Sequence, residues 1–141
     1  MDEDELLHRY GLHPAAEHLD QIRDLLTAQT ELERQSQGHG DTEVMKLCCV
    51  QLFNAGVMSD VLTIWRAKSS SWDASCSIDV QLLCGGGLAG TQAYLLTEGS
   101  EDAAQALDHI RRSEAAGDFA DFSVGETGGL VRRLLPRLIR L

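Results

Sequence analysis

Aromatic residues are scarce in this chain of 141 residues, at 5%. Leu and Ala dominate over Val, Ile and Thr, which argues against a strongly β-rich fold. There are two prolines and four cysteines, so collagen, low-complexity disorder and a disulfide-dense scaffold are excluded. No apolar run approaches the roughly 20 residues that a membrane span requires. Basic residues are also in the minority, 12 against 22 acidic, for a net charge of −10. Such a chain repels phosphate backbones, so no nucleic-acid partner is expected. Asp2, Glu3, Asp4 and Glu5 follow Met1, the opposite of a positive leader region. The expectation is a cytoplasmic chain whose Cys48, Cys49, Cys76 and Cys84 stay reduced.

What is present suits one helical domain. Hydrophobic residues make up 43%, and a domain of this length can bury roughly two thirds of its unfolded surface. Acids at Asp2–Glu5 suit a helix start, and Gly11 a stop. Pro14 fits the first turn of a helix through the 15–35 region, where Leu19, Ile22, Leu25, Leu26 and Leu32 recur at threes and fours. Gln35 to Asp41 reads as a loop, with Asp41 or Thr42 capping the next helix. Ser71 can cap a helix at Trp72, and Ser100 one at Glu101. Residues 128–141 read as a basic amphipathic helix, with Arg132, Arg133, Arg137 and Arg140 among leucines. The rest of the chain then carries 8 basic and 22 acidic residues, a net −14.

From Glu43 the chain echoes itself at an offset of 30. Val50-Gln51-Leu52-Phe53-Asn54-Ala55-Gly56 aligns with Val80-Gln81-Leu82-Leu83-Cys84-Gly85-Gly86, Met58 with Leu88, and Trp65 with Leu95. A weaker copy begins at Ile110. Each copy has an apolar run, a Gly break and a second apolar run, with Ser59, Asp60 or Thr91 as caps of the return helices. The rhythm over residues 44–122 resembles short α-helical-hairpin repeat proteins of the ankyrin-like or HEAT-like kind. It lacks the ankyrin Thr-Pro-Leu-His tetrapeptide, so the hairpin rhythm alone carries the likeness. The fold expected is all-α: an N-terminal helical pair and loop over 1–40, hairpins over 41–122, and a capping helix over 128–141.

Motifs for chemistry are few. Gly85-Gly86-Gly87-Leu88-Ala89-Gly90 fits GxGxxG after Ile78–Leu83, which can pass for a strand. The following Asp102–Leu107 is a helix former, not a second strand, so a turn where two helices pack closely is the preferred reading. Cys76 and Cys84 lie two helical turns apart and with Cys48 or Cys49 can make a zinc set. His13 and Glu17 at i, i+4 are a second candidate pair. Neither outweighs plain burial or a solvated helix face, so no cofactor, metal or catalytic residue is expected.

The function expected is a non-catalytic interaction module that binds a basic protein. Its size and acidity are similar to small bacterial immunity or antitoxin proteins, or to an accessory protein. The contact residues expected are Asp60, Trp72, Asp73, Glu101 and Asp102, and the 128–141 helix offers a route to a homo-oligomer. The alternative is a small enzyme or a nucleotide- or metal-binding protein that uses Gly85–Gly90 or the cysteines.

Overall fold

Side-chain caps and left-handed glycines set most of the helix boundaries. The structure is a computed structural model and describes residues 1–123. Helix α1 (Glu3–Tyr10) starts at Asp2, whose carboxylate accepts from the Glu5 amide at 2.8 Å. A 3-10 turn at Ala16–His18 leads into α2 (Leu19–Gln35). Asp41 caps α3 (Thr42–Ala55) by accepting from the Glu43 and Val44 amides. Gly56, at φ +69°, ends it in the left-handed region that other residues avoid. Next come α4 (Asp60–Lys68) and α5 (Trp72–Ser77), the latter capped by Ser71. A 3-10 turn at Val80–Cys84 precedes α6 (Leu88–Glu98), and α7 (Glu101–Ala115) starts under the Ser100 cap. No strand occurs among the described residues. The fold is all-α, one packed domain; the 128–141 segment lies outside the described residues.

The core is built around α3. Every residue from Val44 to Phe53 except Lys46 is buried. A helix apolar on all sides must be enclosed on all sides. Helices α1 and α2 lie along it, α5 and the Val80–Cys84 turn cover it, and α4 joins α2 to α7. Gln51 and Asn54 donate side-chain amides to the Gly11 and Leu12 carbonyls, which ties the α1–α2 connection to α3. At the same C-terminal end of α3, Phe122 meets Phe53 and Phe119 edge-on.

The segments aligned at an offset of 30 take unequal forms. The return helices α4 and α6 end at Lys68 and Glu98, thirty residues apart. The leading arms differ, because α3 is one continuous helix while residues 72–84 divide into α5 and a 3-10 turn. Ile78–Leu83 is not a strand. Thr91 is not a cap: it lies inside α6, buried, with its hydroxyl on the Met58 sulfur.

Asp60 corrects a sequence expectation. It is 4% exposed, and Arg23 of α2 holds both its oxygens at 2.7 and 2.9 Å. Proximity to the α4 N-terminus also favours a carboxylate there. The third Arg23 nitrogen reaches Asp20 at 2.9 Å. The pair is therefore asymmetric: Arg23 can keep Asp20 and solvent, whereas Asp60 has no other cation among the described residues. We expect R23M to destabilise by about 3 kcal/mol, because it strands a buried carboxylate. D60N should cost only about 1 kcal/mol. Urea unfolding of the two variants checks this ordering; equal losses would overturn it.

Candidate functional site

A six-residue helix is far too short to be stable by itself, yet α5 carries the most exposed large hydrophobic side chain among the described residues. Trp72 is 75% exposed, at the helix start. Two buried charges from other helices hold α5 in place. At its N-terminal end, Glu33 of α2 is 1% exposed and accepts from the Ser71 hydroxyl at 2.6 Å. Ser71 in turn accepts from the Ala74 amide at 3.0 Å. The other Glu33 oxygen accepts from the Gly38 and Gly40 amides, so one carboxylate fastens both the 36–41 loop and the helix cap. Gly40 is required for this approach: a Cβ there would sit 2.7 Å from the Gln29 carbonyl oxygen.

At the other end, Lys68 of α4 is 5% exposed and donates from Nζ to the Ser75 and Ile78 carbonyls at 2.7 and 2.5 Å. These are end groups of α5 that helix bonds do not satisfy. Burial pulls the lysine below its ordinary range, and nearby Asp79 opposes that pull. The Ser71 hydroxyl holds Glu33 below the usual glutamate value, with the Gly38 and Gly40 amides adding to it against burial. Both groups are charged anchors rather than solvated surface.

The expected contact residues separate into groups. Trp72 and Asp73 are adjacent and exposed, and the Asp73 amide donates to Gln37 at 3.3 Å. Glu101 is exposed at the start of α7, while Asp102 beside it pairs with Arg66 of α4 at 3.1 Å. A bonded path joins the two groups: Arg34 donates to the Arg66 carbonyl at 3.2 Å, next in chain to Glu33, which holds Ser71. Asp60 does not belong with them. It lies at the opposite end of α4, paired with Arg23.

Glu33 and Lys68 were not singled out in the sequence, although their spacing carries a signal. The buried face of α2 reads Leu19, Ile22, Leu26, Thr30, Glu33, and that of α4 reads Val61, Ile64, Lys68. A charge at the next step of an apolar stripe is an anchor or an error. Leu32, counted among the apolar positions, is exposed instead.

The cysteine and glycine motifs resolve into packing. Cys48, Cys49 and Cys84 are buried, and Cys76 is exposed on α5. Cys76 and Cys84 sit on different elements, so they share no helix face. Burial pushes the Cys48 and Cys84 thiols up to about 12 and Cys49 well above its ordinary value, which disfavours thiolate chemistry. His13 lies outside a helix, so it forms no i, i+4 pair with Glu17. Among the described residues no three His, Cys, Asp or Glu side chains gather to hold a metal, and no helix is long and apolar enough to cross a membrane. In the glycine segment, a Cβ on Gly85 would lie 2.6 Å from the Phe53 carbonyl oxygen and 3.0 Å from its Cα. Gly86 and Gly90 face the Met58 side chain. The triplet lets one turn lie against the end of α3. Comparison with protein-family models, curated proteins and solved structures finds no match for this chain.

G85A should cost about 3 kcal/mol or more, because the obstacle is backbone. G90A, opposite a flexible methionine end at 3.2 Å, should be neutral or gain up to about 1 kcal/mol of helix propensity. Thermal melts of both check this. For Glu33 the lowered value means stability that is fully present above the ordinary 4.5 and is lost as pH falls through the folded value. E33Q should cost about 1–3 kcal/mol at neutral pH. Its difference from the parent should shrink below pH 4.5. Denaturation at a series of pH values reads both.

Proposed function

We propose that this chain is a non-catalytic, acidic interaction module that seats on a basic protein partner through Trp72 and the carboxylates around it. The observation that carries the reading is the fixed display of Trp72. Tryptophan is highly buried on average. Here an indole is held outward on a short helix by two buried charges, an arrangement that the core does not need. Tryptophan is enriched among the residues that dominate binding energy at interfaces. It also brings contact area with little entropy to lose.

The charge supports the nature of the partner. At net −10 the chain speeds the approach of a basic surface and repels an acidic one. Asp73 and Glu101 remain exposed and are available to it. Asp102 shares its charge with Arg66, and Asp60 has no part. An immunity-like or accessory role in the cytoplasm, where the cysteines stay reduced, is the setting proposed. The hairpin-array likeness supports an interaction role in the same way, since stacked helices commonly present binding faces.

The test uses the full chain, immobilised, with W72A beside it, against lysate of the source cells. A basic protein should be retained at low salt and released as salt rises. The retained protein, once purified, should bind W72A roughly thirtyfold more weakly, a loss of about 2 kcal/mol. The W72A melt should remain within about 0.5 kcal/mol of the parent. Retention indifferent to both salt and Trp72 would overturn the reading.

A further inference from the structure

Lys68 does more than hold α5, because it also lines a cavity of about 270 Å³. The other walls come from Asp79 and Gln81 after α5, from His109 and Ser113 of α7, and from Asp118 in the following turn. The volume falls just below the ~300 Å³ at which drug-sized pockets begin, which suits a small metabolite.

The lining is polar, with Lys68 and Ser113 buried, Asp79, Gln81 and His109 half-buried and Asp118 exposed. An ammonium has three donors, and Lys68 commits two of them to the Ser75 and Ile78 carbonyls. Asp79 lies near Lys68 and 4.0 Å from Lys46, which is not part of the lining, so this carboxylate is shared between the cavity lysine and a second one outside it. His109 packs its ring on Trp65 at 5.5 Å. Its Nε2 is buried and, like Gln51 Oε1 and Asn54 Oδ1, has no hydrogen-bond partner among the described residues, so it is open to a ligand or a water. Burial, Lys68 and Arg112 hold this imidazole below its ordinary value, against Asp108 and Asp118, so it is neutral near pH 7. Ser113 adds a nearly buried hydroxyl. The outer end is opposite in sign: Asp118 is exposed, and no ion pair is formed by it among the described residues. Gln81 donates to the Asp118 carbonyl at 2.8 Å and so fixes that turn beside the opening.

We propose that this cavity binds a small zwitterion of the amino-acid class, with its carboxylate against Lys68, His109 and Ser113 and its ammonium at Asp118. The polarity decides among alternatives. A simple anion would satisfy the inner end but meet Asp118 and the net charge of −10. A simple cation would meet Lys68. A molecule carrying both charges answers both ends, and its carboxylate offers His109 Nε2 an acceptor. The proposal does not rest on the Trp72 reading, which concerns a different surface.

The test uses the full-length chain and named probes. Each of the common amino acids at about 10 mM is screened by thermal shift. Acetate, propionate, methylamine and ethylamine serve as single-charge controls. At least one amino acid should raise Tm by about 3 °C or more, and the controls should not. D118N and S113A, which leave Lys68 and its hold on α5 intact, should each weaken the binding roughly tenfold. In NMR titrations the bound carboxylate should raise the apparent pKa of one imidazole, and H109Q should remove that resonance. Three results would overturn the proposal. The first is a flat screen with unmoved histidine signals, which would leave the cavity to water alone. The second is acetate acting as strongly as any amino acid. The third is unchanged binding by D118N.

Discussion

The enclosure of α3 is the constraint on which the rest of the structure depends. Its buried run from Val44 to Phe53 is interrupted only by the half-buried Lys46, so no face remains to meet water. Each neighbouring helix needs only one apolar side, and each leaves a polar side outward. Gln51, the strongly polar side chain among the buried residues of that run, has its amide nitrogen on the Gly11 carbonyl, while its oxygen has no partner among the described residues. Close packing then demands close backbone approach at the helix end, and Gly85 meets that demand against Phe53. The glycine triplet, the Asn54 bond to Leu12 and the Phe119–Phe122–Phe53 cluster all answer the same need to close the space around one helix.

The second layer of organisation is electrostatic. Among the described residues three charged side chains, Glu33, Asp60 and Lys68, are almost wholly buried. Buried ions are expensive, and replacing them with packed apolar groups is often neutral or stabilising. They persist here with a common geometry, since each bonds a different helix or its cap rather than its own. Asp60 joins α4 to α2, Glu33 joins α2 to the α5 cap, and Lys68 joins α4 to the end of α5. Apolar contacts would tolerate small slides of one helix on another, whereas these directional bonds do not. The two that act on α5 fix a helix with only Ala74 fully buried among its own residues.

Much of the helical framework is legible in the sequence because caps are local chemistry. Asp41, Ser71 and Ser100 cap as expected, and Gly11 and Gly56 stop helices in positive φ. Trp72, expected as a contact residue, is exposed at the first position of α5. The failures come from long-range effects. The run Val80–Cys84 is apolar enough for a helix or a strand, but it is pressed against α3 and α4 and settles into a 3-10 turn. Asp60 looks like a surface acid until Arg23, thirty-seven positions earlier, is seen to face it. His109 and Lys68 lie 41 residues apart, on helices that meet only after folding, so their shared cavity leaves no trace in any local pattern.

Helix α5 links the two surfaces on which function is proposed. Its first residue is the exposed indole, and its last carbonyls are held by the lysine that lines the cavity. A helix with so few internal bonds cannot absorb a change at one end independently of the other. An anionic group settling on Lys68 draws charge away from the Ser75 and Ile78 carbonyls, and a partner clamped on Trp72 stiffens the same six residues. The two occupancies therefore share one element, and the effect of each on the affinity for the other must be equal. The sign depends on whether Lys68 can serve the cavity with its third donor while keeping the two bonds it already makes. Its position argues that it can, because an ammonium directs its donors tetrahedrally and two carbonyls from one helix end occupy only one side.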